Sequence, residues 1–332
     1  MKLLVTGGAG YIGSTVVLDL LAAGHQVVVI DDLSTGYREA LRRVEQLSGQ
    51  DVPFVHADIG DPAAVRRALV GVDAVLHFAA FKVVGESMEH PERYVANNVG
   101  ALGSLFGEME RAGVRRLVYS SSAAVYGTQR EMPIAETAPL MPESPYGMSK
   151  VHGEQWVAWM VRCHGWSAVS LRYFNPVGAH ASGRIGQPVE GAQALLPRAL
   201  LALVRAEAPL TVFGSDWPTP DGTALRDYIH IADLAAAHRH ALAALVPGQH
   251  AIFNVGTGRP NSVAEVLASC RRVTGREVPH VLGPRRAGDM ACATADPSRF
   301  RAATGFTADR GLDDMVETAW RWTVENPGGY GA

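Results

Sequence analysis

The sequence predicts an α/β fold built on a doubly wound parallel sheet, and three observations predict it. Short apolar runs of strand length alternate with helical patterns through the first half of the chain. A glycine-rich turn joins the first run to the first helix, and an aspartate closes the second run.

Taken in order, strands are expected over residues 2–5, 26–30, 53–56, 74–78, 117–120 and 169–174, each a β-rich apolar run. Helices are expected over 12–23, 62–70, 93–112 and 146–164, with Gly24 and Gly113 placed where a helix ends in a left-handed residue. From His180 to Gly191 the rhythm breaks into Gly, Pro, Ser and isolated charges, which marks a loop-rich second region. Residues 231–245 and 251–255 then resume the helix-then-strand alternation. The chain is therefore expected to divide into a first domain over 1–178, completed by about 228–256, and a smaller region over 179–332.

With 332 residues, 47% of them hydrophobic and 19% charged, the chain is expected to be globular. A chain of this length buries roughly three quarters of its unfolded surface and needs no disulfide or structural metal. Thirty basic against thirty-three acidic residues, with basic clusters no longer than pairs such as Arg42-Arg43, Arg271-Arg272 and Arg285-Arg286, argue against nucleic acid as a partner. Cys163, Cys270 and Cys292 are odd in number and lack metal-ligand spacing, so no metal site is expected and a reducing cytoplasm fits. The start of the chain stops being apolar too early for a signal peptide, and no window approaches a membrane span.

The segment Thr6-Gly7-Gly8-Ala9-Gly10-Tyr11-Ile12-Gly13 reads both as GxxGxxG and as GxGxxG. Glycine is needed there because a side chain would keep a pyrophosphate from the backbone N–H groups at the helix N-terminus. Asp31, eighteen residues past Gly13, can accept hydrogen bonds from adenosine ribose hydroxyls and would repel a 2′-phosphate, which favours NAD over NADP. Asp58-Ile59, after the third strand, either flank the adenine or cap the helix at Pro62.

Tyr146 and Lys150 are four residues apart in a helical segment and so share one face. A tyrosine, with a free pKa of about 10, is a poor base at neutral pH. A nearby ammonium together with the positive ring of NAD⁺ favours its phenolate. Ser122 ends the fifth strand, where ligand crevices open in such sheets, and can bond the same substrate hydroxyl.

These residues sit within TGGAGYIG, DDLSTG from Asp31, HFAA from His77, SSSAAVYG from Ser120, SPYGMSK from Ser144, LRYFNPVGAH from Leu171, GTALRDYIHIADLA from Gly222, FNVGTG from Phe253 and PRRAGD from Pro284. In these motifs the chain resembles the extended short-chain dehydrogenase/reductase family, and within it the UDP-glucose (UDP-galactose) 4-epimerases, nearly end to end. The resemblance implies a Rossmann fold with a smaller substrate-binding C-terminal region, tightly held NAD, a homodimer, and reversible epimerisation at C4 of a UDP-hexose through a 4-keto intermediate. It implies Ser122, Tyr146 and Lys150 as catalytic residues, Tyr146 being the base. NAD contacts are implied for Gly7, Gly10, Tyr11, Ile12, Gly13, Asp31, Asp58, Ile59, Phe78, Ala79, Lys82, Asn97, Ser120 and Tyr173, beside Tyr146 and Lys150. UDP-sugar contacts are implied for Lys82, Ser122, Tyr146, Phe174, Asn175, Leu195, Phe213, Arg226, Tyr228, Arg286 and Asp289. In that set Arg226 and Arg286 suit a diphosphate and Asp289 a ribose hydroxyl.

The chain departs from the family at three positions. Ala124 stands where many members have Thr, Ala194 where an Asn helps hold the substrate, and Ala293 where a Tyr or Cys gates the hexose pocket. Ala293 leads to the expectation that a 2-acetamido group fits, so that UDP-GlcNAc and UDP-GalNAc interconvert. Ala123-Ala124 also replace the Asp-Glu pair of nucleotide-sugar dehydratases, which disfavours elimination. A 4-epimerase of UDP-glucuronate or UDP-pentoses stays open, as does a non-catalytic NAD-binding regulator. His238-Arg239-His240 reads as helix surface, and Trp320 and Trp322 as packing residues of a terminal helix.

Overall fold

A computed structural model describes residues 1–188, 193–205, 209–286 and 289–331; the end of the loop expected from His180 to Gly191 lies outside the described residues. Its strands are β1 (Lys2–Thr6), β2 (Gln26–Asp31), β3 (Phe54–His56), β4 (Ala74–His77), β5 (Arg116–Ser122), β6 (Ser167–Tyr173), β7 (Asn175–Val177), β8 (Leu210–Phe213), β9 (Leu225–Arg226), β10 (Tyr228–His230), β11 (His250–Val255), β12 (Asn261–Ser262), β13 (His280–Gly283) and β14 (Cys292–Ala293). Its helices are α1 (Tyr11–Ala22), α2 (Arg38–Ser48), α3 (Pro62–Ala68), α4 (Val84–Glu89), α5 (Pro91–Val95), α6 (Ala101–Arg111), α7 (Pro145–His164), α8 (Leu195–Arg205), α9 (Ile231–Ala243), α10 (Val263–Thr274), α11 (Ser298–Thr304) and α12 (Leu312–Glu325). Among the described residues no helix is long and apolar enough to cross a membrane.

The main sheet has seven strands in the order β11-β6-β5-β4-β1-β2-β3, and every neighbouring pair is parallel. This is the expected doubly wound sheet, with its last strand supplied by the second half of the chain. Chain order reverses between β4 and β1, so a crevice opens beyond their carboxyl ends. Side chains from alternate positions feed two cores: Leu3, Val5 and Val29 pack with Val16, Leu20 and Leu234 of α1 and α9, and Leu4, Ile30 and Val75 pack with Val65, Leu105 and Val157 of α3, α6 and α7. Burial on both faces is why these strands read as continuous apolar runs.

The second region is built of smaller sheets, β7 with β10, β8 with β13, and β9 between β12 and β14. Its core joins Leu196 and Leu200 of α8 to Val266 of α10 and Val316 of α12. Trp322 is buried and Trp320 half-buried on α12, in the packing role expected of them.

The structure corrects the reading in three places. The helix expected over 93–112 is α5, a π-helical turn at Ala96–Gly100, and α6. The wider turn brings Asn98 inward, where its amide exchanges two 2.9 Å bonds with the Phe81 backbone and donates to Ser149 Oγ at 3.0 Å. Helix α2 lies outside the expected set, because its charge-rich sequence buries only Ala40, Leu41 and Val44. His238 is not helix surface but fully buried, 4.7 Å from the Phe78 ring and 5.9 Å from the Tyr173 ring, with Nδ1 2.8 Å from the Leu234 carbonyl oxygen. Its helix spacing explains this: Leu234, His238 and Ala241 share the buried face of α9.

Burial lowers His230 and His238 to about 4, and lowers His77 to about 3 with the Lys150 charge adding to the effect. These imidazoles stay neutral in the fold, whereas the unfolded chain protonates them below about pH 6.5. Their stabilising contribution is therefore complete above pH 6.5 and is lost as pH falls toward 4. The urea midpoint is expected to drop steeply between pH 7 and pH 5, corresponding to a few kcal/mol, on the order of 1 kcal/mol per histidine. An equal midpoint at both pH values would contradict the burial of neutral imidazoles.

Candidate active site

The turn from β1 to α1 forms one wall of the crevice. Gly7 has a φ of +70°, and a Cβ there would stand 2.6 Å from the Ala79 nitrogen; a Cβ on Gly13 would collide with the Gly7 carbonyl oxygen. Gly10 caps α1 without a side-chain acceptor, so the first-turn N–H groups gain no partner from the cap and face a cradle that side chains do not fill. That is the donor arrangement a pyrophosphate requires. The Tyr11 hydroxyl donates to the Gly178 carbonyl at 2.6 Å, and Ile12 packs against the core.

Asp31 is buried at the end of β2, accepting the Ala9 N–H at 2.9 Å and the Leu33 N–H at 2.8 Å. Burial raises its pKa against the effect of those two bonds. Each carboxylate oxygen keeps a lone pair for a ribose hydroxyl. Asp58 accepts the Gly60 N–H at 2.7 Å, and the cap of α3 is Asp61, which takes the Ala63 and Ala64 N–H groups. Capping is thereby excluded for Asp58; Ile59 is buried beside it.

At the carboxyl end of β5 three successive serines each take a different partner. Ser120 Oγ lies 2.5 Å from the Tyr173 hydroxyl, and the Ser120 carbonyl accepts Lys150 Nζ at 2.8 Å. Ser121 points to the opposite face, where it donates to Glu154 Oε1 at 2.5 Å. The Ser122 hydroxyl accepts the Ala124 N–H at 3.1 Å and acts to lower the pKa of the Tyr146 phenol.

Helix α7 delivers the partners of these serines. Ser144 caps it by accepting the Gly147 N–H at 3.1 Å, and Pro145 occupies the first helical position, which fixes Tyr146 in the first turn. Lys150 follows one turn later, its Nζ 5.2 Å from the Tyr119 ring centroid and 6.0 Å from that of Tyr146. The structure thus brings Ser122, Tyr146 and Lys150 together. Burial lowers Lys150 to about 8, opposed by the negative charge of Glu154, and burial raises the Tyr146 phenol, opposed by the Ser122 bond. Phenolate at Tyr146 therefore depends on added positive charge in the crevice.

Phe78 and Ala79 follow β4, their N–H groups 3.2 and 3.3 Å from Thr6 Oγ1, which is itself 2.8 Å from His77 Nδ1. Lys82 Nζ is 5.8 Å from the Tyr11 ring centroid, and Asn97, in the π-helical turn, donates to Asn98 Oδ1 at 3.0 Å. On the other side Phe174 is buried against Val125 and Val151, and the Asn175 amide donates to the Asp227 carbonyl at 3.1 Å. Tyr228 is buried in the second core, against which Leu195 packs. Arg226 donates to the Leu225 and Met290 carbonyls at 2.9 and 2.8 Å and pairs with Asp289 at 3.4 Å, while Arg286 lies 4.3 Å above the Phe213 ring. Ala293 is the register partner of Arg226. Sequence reasoning missed Ser121, Glu154 and Arg172, although Glu154 continues the spacing of Tyr146 and Lys150 by one further turn.

Residues 3–256, ending just past β11, match the model of the NAD dependent epimerase/dehydratase family. The chain belongs to this family. Among the family's characterised members it is 44% identical to the UDP-glucose 4-epimerase of Neisseria meningitidis serogroup C, over 99% of each chain. A UDP-glucose 4-epimerase structure from Stenotrophomonas maltophila, with bound NAD and formylated UDP-arabinopyranose, superposes with a TM-score of 0.95 at 40% identity, covering 98% of this chain and 99% of that one. One from Bifidobacterium longum, with NAD⁺ and UDP, has a TM-score of 0.94 at 38% identity and covers 99% of this chain and 100% of that one.

The glycine turn of this epimerase/dehydratase family member gives a direct test. Gly13→Ala pushes a methyl group into the Gly7 carbonyl and is expected to cost about 1–3 kcal/mol of stability. A urea midpoint equal to that of the parent would mean that the turn yields more easily than its packing indicates.

Proposed function

We propose that this chain catalyses the reversible, NAD-dependent epimerisation of UDP-hexoses at C4, interconverting UDP-glucose and UDP-galactose. The observation that carries this reading is the burial of Tyr146 and Lys150, one turn apart on α7, against the end of β5, where Lys150 Nζ donates to the Ser120 carbonyl at 2.8 Å, in a crevice whose other wall is the Gly7 to Gly13 turn. The chain's end-to-end likeness to 4-epimerases supports it.

NAD, when bound, supplies a hydride acceptor that takes hydrogen from C4 of the sugar and later returns it. Gly7, Gly10, Tyr11, Ile12 and Gly13 would hold the pyrophosphate, and Asp31, Asp58 and Ile59 the adenosine. Phe78, Ala79, Lys82, Asn97, Ser120 and Tyr173 would line the nicotinamide end, where Lys150 also reaches the ribose. Tyr146 takes the proton of the 4-hydroxyl, Ser122 orients that hydroxyl, and Lys150 favours the phenolate against the burial that opposes it. Arg226 and Arg286 would grip the diphosphate, with Phe174, Asn175, Leu195, Phe213, Tyr228 and Asp289 around the nucleotide. That grip must survive while the 4-ketose turns over to present its other face.

Ala293, the register partner of Arg226, carries a methyl group where the resembled family has Tyr or Cys, and on this reading a 2-acetamido group fits and UDP-GlcNAc and UDP-GalNAc are substrates too. A homodimer through the outer face of α7 fits the exposure of Trp156 and Trp159, 53% and 52%, which line a groove of about 530 Å³ with His152 and Met160. Three free thiols fit a cytoplasmic setting.

Purified protein without added cofactor, incubated with UDP-glucose, UDP-GlcNAc, UDP-glucuronate and UDP-xylose, is expected to yield the C4 epimer of UDP-glucose, resolved by NMR. Tyr146→Phe should keep bound NAD and lose about 10²-fold or more in kcat; full activity in that variant would remove Tyr146 as the base. UDP-GlcNAc should turn over in the parent, and Ala293→Tyr should suppress this while sparing UDP-glucose. Absence of N-acetyl turnover in the parent would sink the pocket assignment alone.

A further inference from the structure

The reading of the crevice as a 4-epimerase site leaves a buried, bidentate ion pair without a task. Glu154 is one turn beyond Lys150 on the same face of α7; its side chain is 4% exposed, and that of Arg172 on β6 is 3% exposed. The guanidinium donates Nε to Oε1 at 2.8 Å and Nη2 to Oε2 at 2.5 Å, the bidentate geometry a desolvated ion pair needs. Oε1 also takes the Ser121 hydroxyl at 2.5 Å. Beyond Arg172 the chain of bonds continues: Nη1 donates to the Tyr126 hydroxyl at 3.0 Å, that hydroxyl donates to Asn254 Oδ1 at 2.7 Å, and Asn254 Nδ2 donates to the Ile134 carbonyl at 2.8 Å. Ile134 is in turn bonded to the Thr294 carbonyl and the Asp296 N–H, both at 2.8 Å, next to Ala293.

We propose that Glu154 and Arg172 are positioning residues for catalysis: their ion pair anchors Ser121, and through it holds Ser120 and Ser122 in place against Lys150 and Tyr146. The proposal rests on the epimerase reading of the same site. Stability does not explain the pair, since well-packed apolar residues often replace a buried ion pair at no loss. Its location does. Ser121 lies between Ser120, whose carbonyl accepts Lys150 Nζ at 2.8 Å, and Ser122, whose hydroxyl accepts the Ala124 N–H at 3.1 Å, so a turn of the strand at Ser121 moves both contacts.

The charges around Lys150 give a second consequence. It is faced by Tyr146 and Glu154 from α7, by Tyr119 and the Ser120 carbonyl from β5, and by His77 from β4. Glu154 itself is faced by Arg172 from β6, Ser121 from β5 and His250 from β11. Glu154 pulls the Lys150 pKa upward, so its loss lets Lys150 shed its proton at lower pH.

The test compares the full-length protein with Ser121→Ala and with the double variant Glu154→Gln/Arg172→Met, which leaves no charge buried alone. Each is assayed for UDP-glucose turnover against pH, with folded fraction and bound NAD measured on the same samples. Ser121→Ala is expected to lower kcat about tenfold with KM unchanged. The double variant should lose at least as much and show its alkaline limb of kcat at lower pH. Parental kcat in Ser121→Ala overturns the proposal, whether or not the double variant folds. So does a folded double variant with the parent's kcat and alkaline limb. Should the parent itself fail to turn over UDP-glucose, the epimerase reading falls instead. The absorbance titration of Tyr146, isolated by difference against Tyr146→Phe, then decides: displacing the Ser122 hydroxyl, which acts to lower the phenol's pKa, must move it to higher pH in Ser121→Ala, and an unmoved titration overturns the positioning role.

Discussion

The crevice depends on how closely α7 is pressed against the end of β5. A serine side chain is short, so Ser121 reaches Glu154, and the Ser120 carbonyl meets Lys150, only if helix and strand nearly touch. Two glycines on α7 permit this: a Cβ on Gly147 would lie 2.5 Å from the Ala124 carbonyl, and one on Gly153 would strike the Tyr119 hydroxyl. The helix presents Tyr146, Lys150 and Glu154 on one face while its glycines let that face approach. Its start is fixed by the Ser144 cap and Pro145, so the first of these side chains stands at the rim and the last lies fully buried.

That closeness puts three ionisable groups in one dry wall, and their signs matter. Glu154 pairs with Arg172 yet still favours the Lys150 ammonium, which is itself bonded to a neutral carbonyl. A buried ammonium that keeps a pKa of about 8 is expensive to hold, and its position beside a phenol raised by burial gives that cost a use. The same environment resists phenolate, and positive charge in the crevice would raise the ionised fraction of Tyr146. On the proposed reading this ties proton abstraction to occupancy of the crevice.

The features legible in the sequence were those encoded locally. The Gly7 to Gly13 turn, Asp31 at a strand end and the Tyr146–Lys150 spacing are each set by a few adjacent residues, and each lies where those residues indicated. The inner helix break at Ala96–Gly100 was not legible, because it is stabilised by Asn98 bonds to Phe81 and Ser149, far apart in sequence. The pairing of Arg226 with Asp289 spans sixty-three positions and joins residues that motif reading treats separately. His238 was misread for a different reason: it was grouped with Arg239 and His240 as one surface run, but the helix turns only one of the three residues fully into the core. Glu154 is the instructive omission, since its spacing from Lys150 was visible and its partner on β6 was not.

On the proposed reading the second region then decides what the crevice can do with a sugar. The groups proposed to face the nucleotide are held by the protein itself: Arg226 by two carbonyls and Asp289, Arg286 by the Phe213 ring. Preorganised cations of this kind lose little entropy on meeting a diphosphate, so binding energy concentrates at the end of the molecule that does not react. Around the proposed hexose site the resemblance implies the reverse. Ala124, Ala194 and Ala293 offer methyl groups where the resembled family carries larger or hydrogen-bonding side chains, and each absent bond gives up about 1 kcal/mol of grip. For a reaction that held one sugar face throughout, such losses would be a defect. For one in which the ring must leave its first pose, turn, and be accepted in a second, grip on the ring raises the barrier to turning, and weak contacts there beside strong ones on the nucleotide are what the chemistry favours.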